Sequence, residues 1–232
     1  MKTFIFFRML SKLFGKKKPT PSPLKELTPE EFEEAKLKAR VAFIDDEEIP
    51  HVERLRQDGY NIVHYSDIDN IDDFTRRKHH VVILDIQGVG QEISPNSEGW
   101  GILKYLKNNC PNIVVIMFTG AEWSITKYKD EASVADDFIG KDLEFLDFKS
   151  KLDEGIKKAF SPKYHFEIEK QKILSELTNA NTIEQIKIIV DTYGANKKTT
   201  LSELKKLNDN PKIIDSIENL LSIVNSIKSL IS

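Results

Sequence analysis

A chain of 232 residues, about 40% hydrophobic and 31% charged, has room for one ordinary domain and a smaller second one, and its composition excludes a disordered or fibrous protein. The net charge of -3 conceals a division: residues 1–25 carry seven basic side chains and no acid, residues 26–150 carry 14 basic and 26 acidic, and the rest carry 13 basic and 11 acidic. The acidic central region is a poor surface for nucleic acid and a good one for cations.

Residues 1–25 open with MKTFIFFRMLSKLFGKKKP. The apolar run is interrupted by Arg8 and Lys12, is too short to span a bilayer, and lacks the small-residue cleavage pattern of a secretory signal. Phe4, Phe6, Phe7, Leu10, Leu13 and Phe14 beside Lys12, Lys16, Lys17 and Lys18 suit either peripheral contact of residues 1–18 with an anionic membrane or docking on a protein surface. The Pro-rich stretch that follows reads as a linker, so residues 1–28 form a first segment.

Thr28, Pro29 and Glu31 are spaced as a capping box that starts a helix running to Lys38. From there apolar runs alternate with helical patterns. Strands are expected at Val41–Ile44, Ile62–Tyr65, Val81–Leu84, Ile113–Phe118 and Asp137–Ile139. Helices are expected at Ile49–Gln57, Ile68–Arg77, Trp100–Asn108 and Phe145–Phe160, with a weak turn at Ile125–Asp130. Continuous apolar strands alternating with helices predict an α/β domain over residues 29–160, with a doubly wound parallel sheet covered on both faces. Sites in such sheets lie outside the carboxyl ends of the strands.

Residues 161–232 predict a small all-helical domain. Its helices fall at 166–178, at 182–193 with Thr182 as cap, from Thr199 or Thr200 to Leu207, and from Pro211 to Leu230. Leu220, Val224, Ile227 and Ile231 form one stripe, which suits internal packing or a homodimer. This region contains no arginine and has no obvious recognition helix, which argues against DNA binding.

Asp45-Asp46, Asp85, Thr119 and Lys141 each follow an apolar run, so the sheet collects three acids, a hydroxyl and an amine at one edge. Magnesium takes oxygen ligands in near-octahedral geometry and keeps several waters. Asp45 or Asp46, Asp85 and a backbone carbonyl beyond Asp85 could supply three of them. The Asp85 carboxylate could then attack a phosphoryl donor, with Thr119 and Lys141 holding the phosphoryl oxygens.

The segments VAFIDDEE, VVILDIQG, VVIMFTGA and DDFIGKD resemble the motif regions of response-regulator receiver domains, over roughly residues 40–160. The resemblance implies five parallel strands in the order 2-1-3-4-5 and Mg-dependent acceptance of a phosphoryl group from a histidine kinase or phosphotransfer protein in two-component signalling. It implies Asp85 as phosphoacceptor, Asp46 as direct metal ligand, Asp45 as its support and Gln87 as a ligand through its backbone carbonyl. Thr119 and Lys141 match the switch hydroxyl and the active-site lysine, and Phe138 matches the aromatic switch. Two departures stand out. The loop between Asp85 and Gly99 is longer than the family's, and Asp142 replaces the proline that follows the lysine. The chain is thus expected to be a cytoplasmic phosphoacceptor, or one peripheral at the inner membrane face, with a protein effector reached through its helical tail. The alternative is a receiver-derived scaffold that works without phosphorylation.

An aspartate-nucleophile phosphohydrolase would place a second aspartate two residues after Asp85, where this chain has Gln87. Catalysis is therefore expected to be limited to self-phosphorylation from a donor and slow self-dephosphorylation. Gly88-Val89-Gly90 lacks the remaining elements of a nucleotide loop. His51, His64, His79 and His80 have no metal-ligand spacing and read as surface residues. Cys110, the one cysteine, excludes an internal disulfide and fits a reducing compartment. Trp100 is expected to pack a helix on the long loop, and Trp123 to cover the rim of the site or a partner surface, or to be a simple packed aromatic.

Overall fold

The computed structural model describes residue 24 and residues 26–120, 129–176, 181–194 and 196–231. The N-terminal residues 1–18 and Trp123 lie outside them. At Thr28, Oγ1 accepts the Glu31 N–H at 3.2 Å and the Glu31 carboxylate accepts the Thr28 N–H at 2.7 Å, closing the expected capping box. This box starts α1 (Pro29–Lys38). Then follow β1 (Arg40–Ile44), α2 (Pro50–Gln57), β2 (Asn61–Tyr65), α3 (Ile71–Arg76), β3 (Val81–Asp85), α4 (Gly99–Asn109) and β4 (Val114–Thr119). A single turn α5 (Lys129–Ala132), β5 (Asp137–Gly140) and α6 (Phe145–Ala159) complete the alternation. Helix α3 begins later than its apolar pattern predicts, because Asn70 accepts the Asp73 N–H at 3.0 Å and caps it there.

The strands pair in parallel in the order β2-β1-β3-β4-β5, as the resemblance implies. Successive side chains on a strand point to opposite faces, so each central strand feeds two cores. Val41, Phe43, Val81, Ile83, Ile116 and Phe118 face α1, α2 and α6, while Ala42, Ile44, Val82, Leu84, Val115 and Met117 face α3 and α4. Edge strand β2 buries Ile62 and exposes Val63. Trp100 is buried in the second core, its ring 6.4 Å from that of Phe138, and Val89 of the long loop is buried in the same core.

Cα packing divides the chain into compact units, one of which holds Glu26–Ile168 with Ile223–Ser232. Helix α7 (Pro162–Ser175) starts earlier than the expected 166 because the Ser161 hydroxyl accepts the Tyr164 N–H. Helices α8 (Asn181–Tyr193), α9 (Lys197–Leu207) and α10 (Pro211–Ile231) follow. Asn196, rather than Thr199 or Thr200, caps α9, accepting the Thr199 N–H at 3.0 Å. In the unit containing Glu169–Ser222, Ile173, Ile186, Val190, Leu204, Ile213 and Ile217 are buried. The end of α10 belongs to the first unit, where Ile227 is buried among α1 and α6 residues and Lys38 Nζ donates to the Leu230 carbonyl at 3.2 Å. The stripe seen in the sequence is thereby covered within the chain at Leu220, Val224 and Ile227.

The end of the sheet opposite the acids is closed by polar groups. Asp136 accepts from Lys107 Nζ at 2.6 Å, Tyr164 Oη at 2.9 Å and the Val115 N–H at 2.8 Å, and pairs with Lys158 at 2.7 Å. Burial works against the Asp136 carboxylate, but these donors outweigh it and hold its pKa below the ordinary value. Beside it, His80 Nδ1 accepts the Arg40 N–H at 2.9 Å, which requires that nitrogen to be unprotonated. His79 is 7% exposed and His80 is half-buried, so neither is the fully exposed residue its sequence context suggests.

Burial, reinforced by Arg40, lowers both pKa values from 6.5 to about 4. The unfolded chain therefore binds more protons than the folded one between those values, and stability falls as pH drops from 6.5 to 4. The full loss is expected to be on the order of 3 kcal/mol per histidine. His80→Asn, which offers an oxygen acceptor that does not titrate, should flatten part of this dependence in denaturant titrations run across that window.

Candidate functional site

β1, β3, β4 and β5 end at one edge, and the register sets what meets there. Ile44 pairs with Leu84, Asp85 with Phe118, and Thr119 with Gly140. The residues just past these pairs are Asp45, Asp46 and Lys141. The Lys141 N–H donates to the Thr119 carbonyl at 3.0 Å, which carries the β4–β5 ladder one step further and aims the lysine back over β3. Its ammonium lies 2.8 Å from Asp85 Oδ2, 3.2 Å from Asp45 Oδ2 and 5.4 Å from the centre of the Phe118 ring. Asp45 is fully buried and Asp85 is 2% exposed, whereas the Lys141 side chain keeps 31% of its surface. The site is thus open on the lysine side and closed behind the acids.

Each acid is held by the backbone. Asp45 donates its N–H to the Tyr65 carbonyl at 3.1 Å, and its Oδ1 accepts the Glu47 N–H at 2.8 Å. His64 Nε2 donates to the Asp45 carbonyl at 2.7 Å, which fixes the tautomer of that ring. Asp85 Oδ1 accepts the Ile86 N–H at 2.6 Å. Burial raises the Asp85 pKa, Asp45 adds to the rise, and Lys141 opposes it. Burial also works against the Lys141 ammonium, but Asp85 and then Asp45 outweigh it and hold its pKa above the ordinary value.

One carboxylate oxygen from each of Asp45, Asp46 and Asp85 lies within 4.8 Å of the others. Asp45 Oδ2 is buried without a hydrogen-bond partner, since Lys141 approaches it as an ion pair outside hydrogen-bond geometry. Three carboxylates and one ammonium leave two formal negative charges, and every free donor is a hard oxygen. That set fits magnesium, which takes oxygen ligands and keeps waters on its open side. Gln87 is exposed immediately beyond the acid, Thr119 is half-buried at the end of β4, and Phe138 is half-buried on the second core. The bond from Lys141 to Asp142 is trans, as are all peptide bonds among the described residues.

Gly88 and Glu98 of the long loop and Gly99 at the start of α4 border the site without having been singled out as functional. Gly88 adopts φ 80°, and a Cβ on it would stand 2.6 Å from the Asp46 carboxylate, so that acid occupies space that only glycine leaves open. The Gly88 N–H donates to Glu98 Oε2 at 3.1 Å, closing the loop on itself. Gly99 passes so near the Asp85 carbonyl that a Cβ would collide with it. The only sequence signal for these three was a glycine at each end of the insertion, and a nucleotide-loop reading competed for the first.

No family model matches the chain, and no curated protein matches it. Among solved structures, it is similar to the receiver domain of NtrX from Brucella abortus, at 22% identity over 50% of this chain and 98% of that one, with a TM-score of 0.43. It is likewise similar to TrrA from Thermotoga maritima, a response regulator protein in complex with Mg(2+)-BeF, at 21% identity over 50% and 98% of the two chains and a TM-score of 0.40. The BeF3-activated DrrB receiver domain matches at 21% identity over 51% and 97%, with a TM-score of 0.39.

Alanine in place of Gly99 would ordinarily favour a helix by roughly 1 kcal/mol. Because a Cβ there meets the Asp85 carbonyl, Gly99→Ala is expected to destabilise the chain instead, by about 1–3 kcal/mol in urea unfolding. Equal or greater stability of the variant would show that the approach is looser than described.

Proposed function

We propose that this chain is a phosphoacceptor signalling protein that takes a phosphoryl group on Asp85 with magnesium. The observation that carries the reading is the Lys141 ammonium held between two buried strand-end carboxylates, 2.8 Å from Asp85 and 3.2 Å from Asp45. A carboxylate of Asp85 attacks the donor phosphorus. The bond from phosphorus to the donor atom breaks, the leaving group keeps the electron pair, and an acyl phosphate forms. Asp46, Asp85 and the Gln87 carbonyl would hold the metal directly, with Asp45 behind them. Magnesium, when bound, supplies positive charge to the phosphoryl oxygens. Lys141 exchanges its pairing with the free carboxylate for one with a phosphoryl oxygen, and Thr119 donates its hydroxyl to another. Phe138 follows the Thr119 hydroxyl as the aromatic switch.

The physiological donor on this reading is a histidine kinase or a phosphotransfer protein. The output is a protein effector reached through residues 161–232. Ile227 sits among core residues of the acid-bearing unit, so its packing depends on how that core is arranged. A homodimer would use a surface other than the stripe of α10, which is already covered at Leu220, Val224 and Ile227. A cytoplasmic place, with peripheral contact at the inner membrane face, follows from the basic and apolar residues 1–18 and the single cysteine. No helix among the described residues is long and apolar enough to cross a membrane.

Incubation with magnesium and a small-molecule phosphoryl donor should add one phosphoryl mass to the intact chain, located at Asp85 by peptide mapping. Asp85→Asn should abolish it and Lys141→Ala should slow it. An unchanged mass in the unaltered chain would leave the scaffold reading in its place. Separately, the full chain should sediment with vesicles rich in anionic lipid and not with neutral ones, and deletion of residues 1–18 should remove that binding. Equal sedimentation with both vesicle types would exclude the electrostatic contact.

A further inference from the structure

Glu98 combines two features that a loop residue before a helix does not need. Its backbone has φ 47° and ψ -129°, a left-handed conformation that glycine tolerates and that strains a residue with a Cβ. Its side chain makes no capping hydrogen bond to α4, although it occupies the N-cap position. The backbone is anchored independently, since the Glu98 N–H donates to the Ser94 carbonyl at 2.7 Å and the Glu98 carbonyl accepts the Gly101 N–H at 2.8 Å. The carboxylate instead reaches across the loop to the Gly88 N–H at 3.1 Å.

That N–H belongs to the same peptide as the Gln87 carbonyl. The N–H and C=O of a trans peptide point in opposite directions, so drawing the N–H toward Glu98 turns the Gln87 carbonyl away from it. Gly88 itself lies against the Asp46 carboxylate, which would stand 2.6 Å from a Cβ there. The peptide is therefore gripped by Glu98 through its N–H and bordered by Asp46 at its Cα.

We propose that Glu98 is a positioning residue for the magnesium site, holding the Gln87–Gly88 peptide so that its carbonyl is presented to the cation beside Asp46 and Asp85. The inference rests on the magnesium reading above. On this view the strained backbone at Glu98 persists because it brings the carboxylate to Gly88. Partners of this kind, one shell out from the ligands, change metal affinity by about 10–100-fold when removed.

The test is magnesium titration of the full chain by calorimetry, with urea unfolding of each variant alongside. The unaltered chain binds and Asp46→Asn loses binding. Glu98→Ala and Glu98→Gly weaken binding about 10–100-fold. Glu98→Gln stays near the unaltered affinity, because its amide oxygen accepts the same hydrogen bond without the charge. Glu98→Gly also unfolds at higher urea than Glu98→Ala, since glycine removes the strain, so its affinity falls without a matching loss of stability. Unchanged affinity in Glu98→Ala and Glu98→Gly, with binding intact in the parent and lost in Asp46→Asn, overturns this inference alone. Glu98→Gln as weak as Glu98→Ala also overturns it, because charge rather than orientation would then be the cause. A parent chain that takes no magnesium defeats the magnesium reading and this inference together.

Discussion

The Lys141 ammonium sits between Asp85 and Asp45, two carboxylates almost entirely withdrawn from water. Buried carboxylates close together repel, and each loses hydration on burial. A cation from the end of β5, reaching across β4, is what allows both to stay there. The rest of the domain arranges this meeting. β1 and β3 bring the acids side by side, and one further hydrogen bond of the β4–β5 ladder aims the lysine. Even so, one Asp45 oxygen has no hydrogen bond, and two formal negative charges remain uncompensated. The site is held short of neutrality, which suits a divalent cation.

The two ends of the sheet solve the burial of charge differently. Asp136 is satisfied by two ammonium groups, a hydroxyl and a backbone N–H, which together fill the acceptor capacity of its carboxylate. Fully paired groups of this kind lock structure. At the other end the acids keep an exposed lysine beside them and an open side for ligands. Pairing is complete at the Asp136 end and incomplete at the end that carries the three acids. The long loop belongs to the second end. Val89 buries its tip in the core and Glu98 ties its start to its finish, so the insertion borders the site as a packed structure.

Much of this was legible in the sequence because strand and helix periods differ. The apolar runs ending at Ile44, Leu84 and Phe118 announced parallel strands, and the carboxyl-end rule placed Asp45, Asp46, Asp85, Thr119 and Lys141 together. Thr28 and Glu31 announced a helix start through a local spacing that needs no tertiary context. The errors came where burial depended on distant segments, and where several residues could serve as a local cap. His79 and His80 read as surface residues because nothing local shows that they are covered. Asn196 displaced the two threonines as a cap because competing caps differ only in geometry.

The sequence by itself determined which residues end each strand, which carry hard oxygen donors, and that one lysine follows the last strand. Those are properties of pattern and residue type, and pattern is local. Only the tertiary structure decided that Lys141 reaches both Asp85 and Asp45, that Gly88 yields its Cβ space to Asp46, and that Glu98 closes on the Gly88 amide. These are distances between residues far apart in the chain. They depend on strand register and loop closure, which close packing sets and no local spacing encodes.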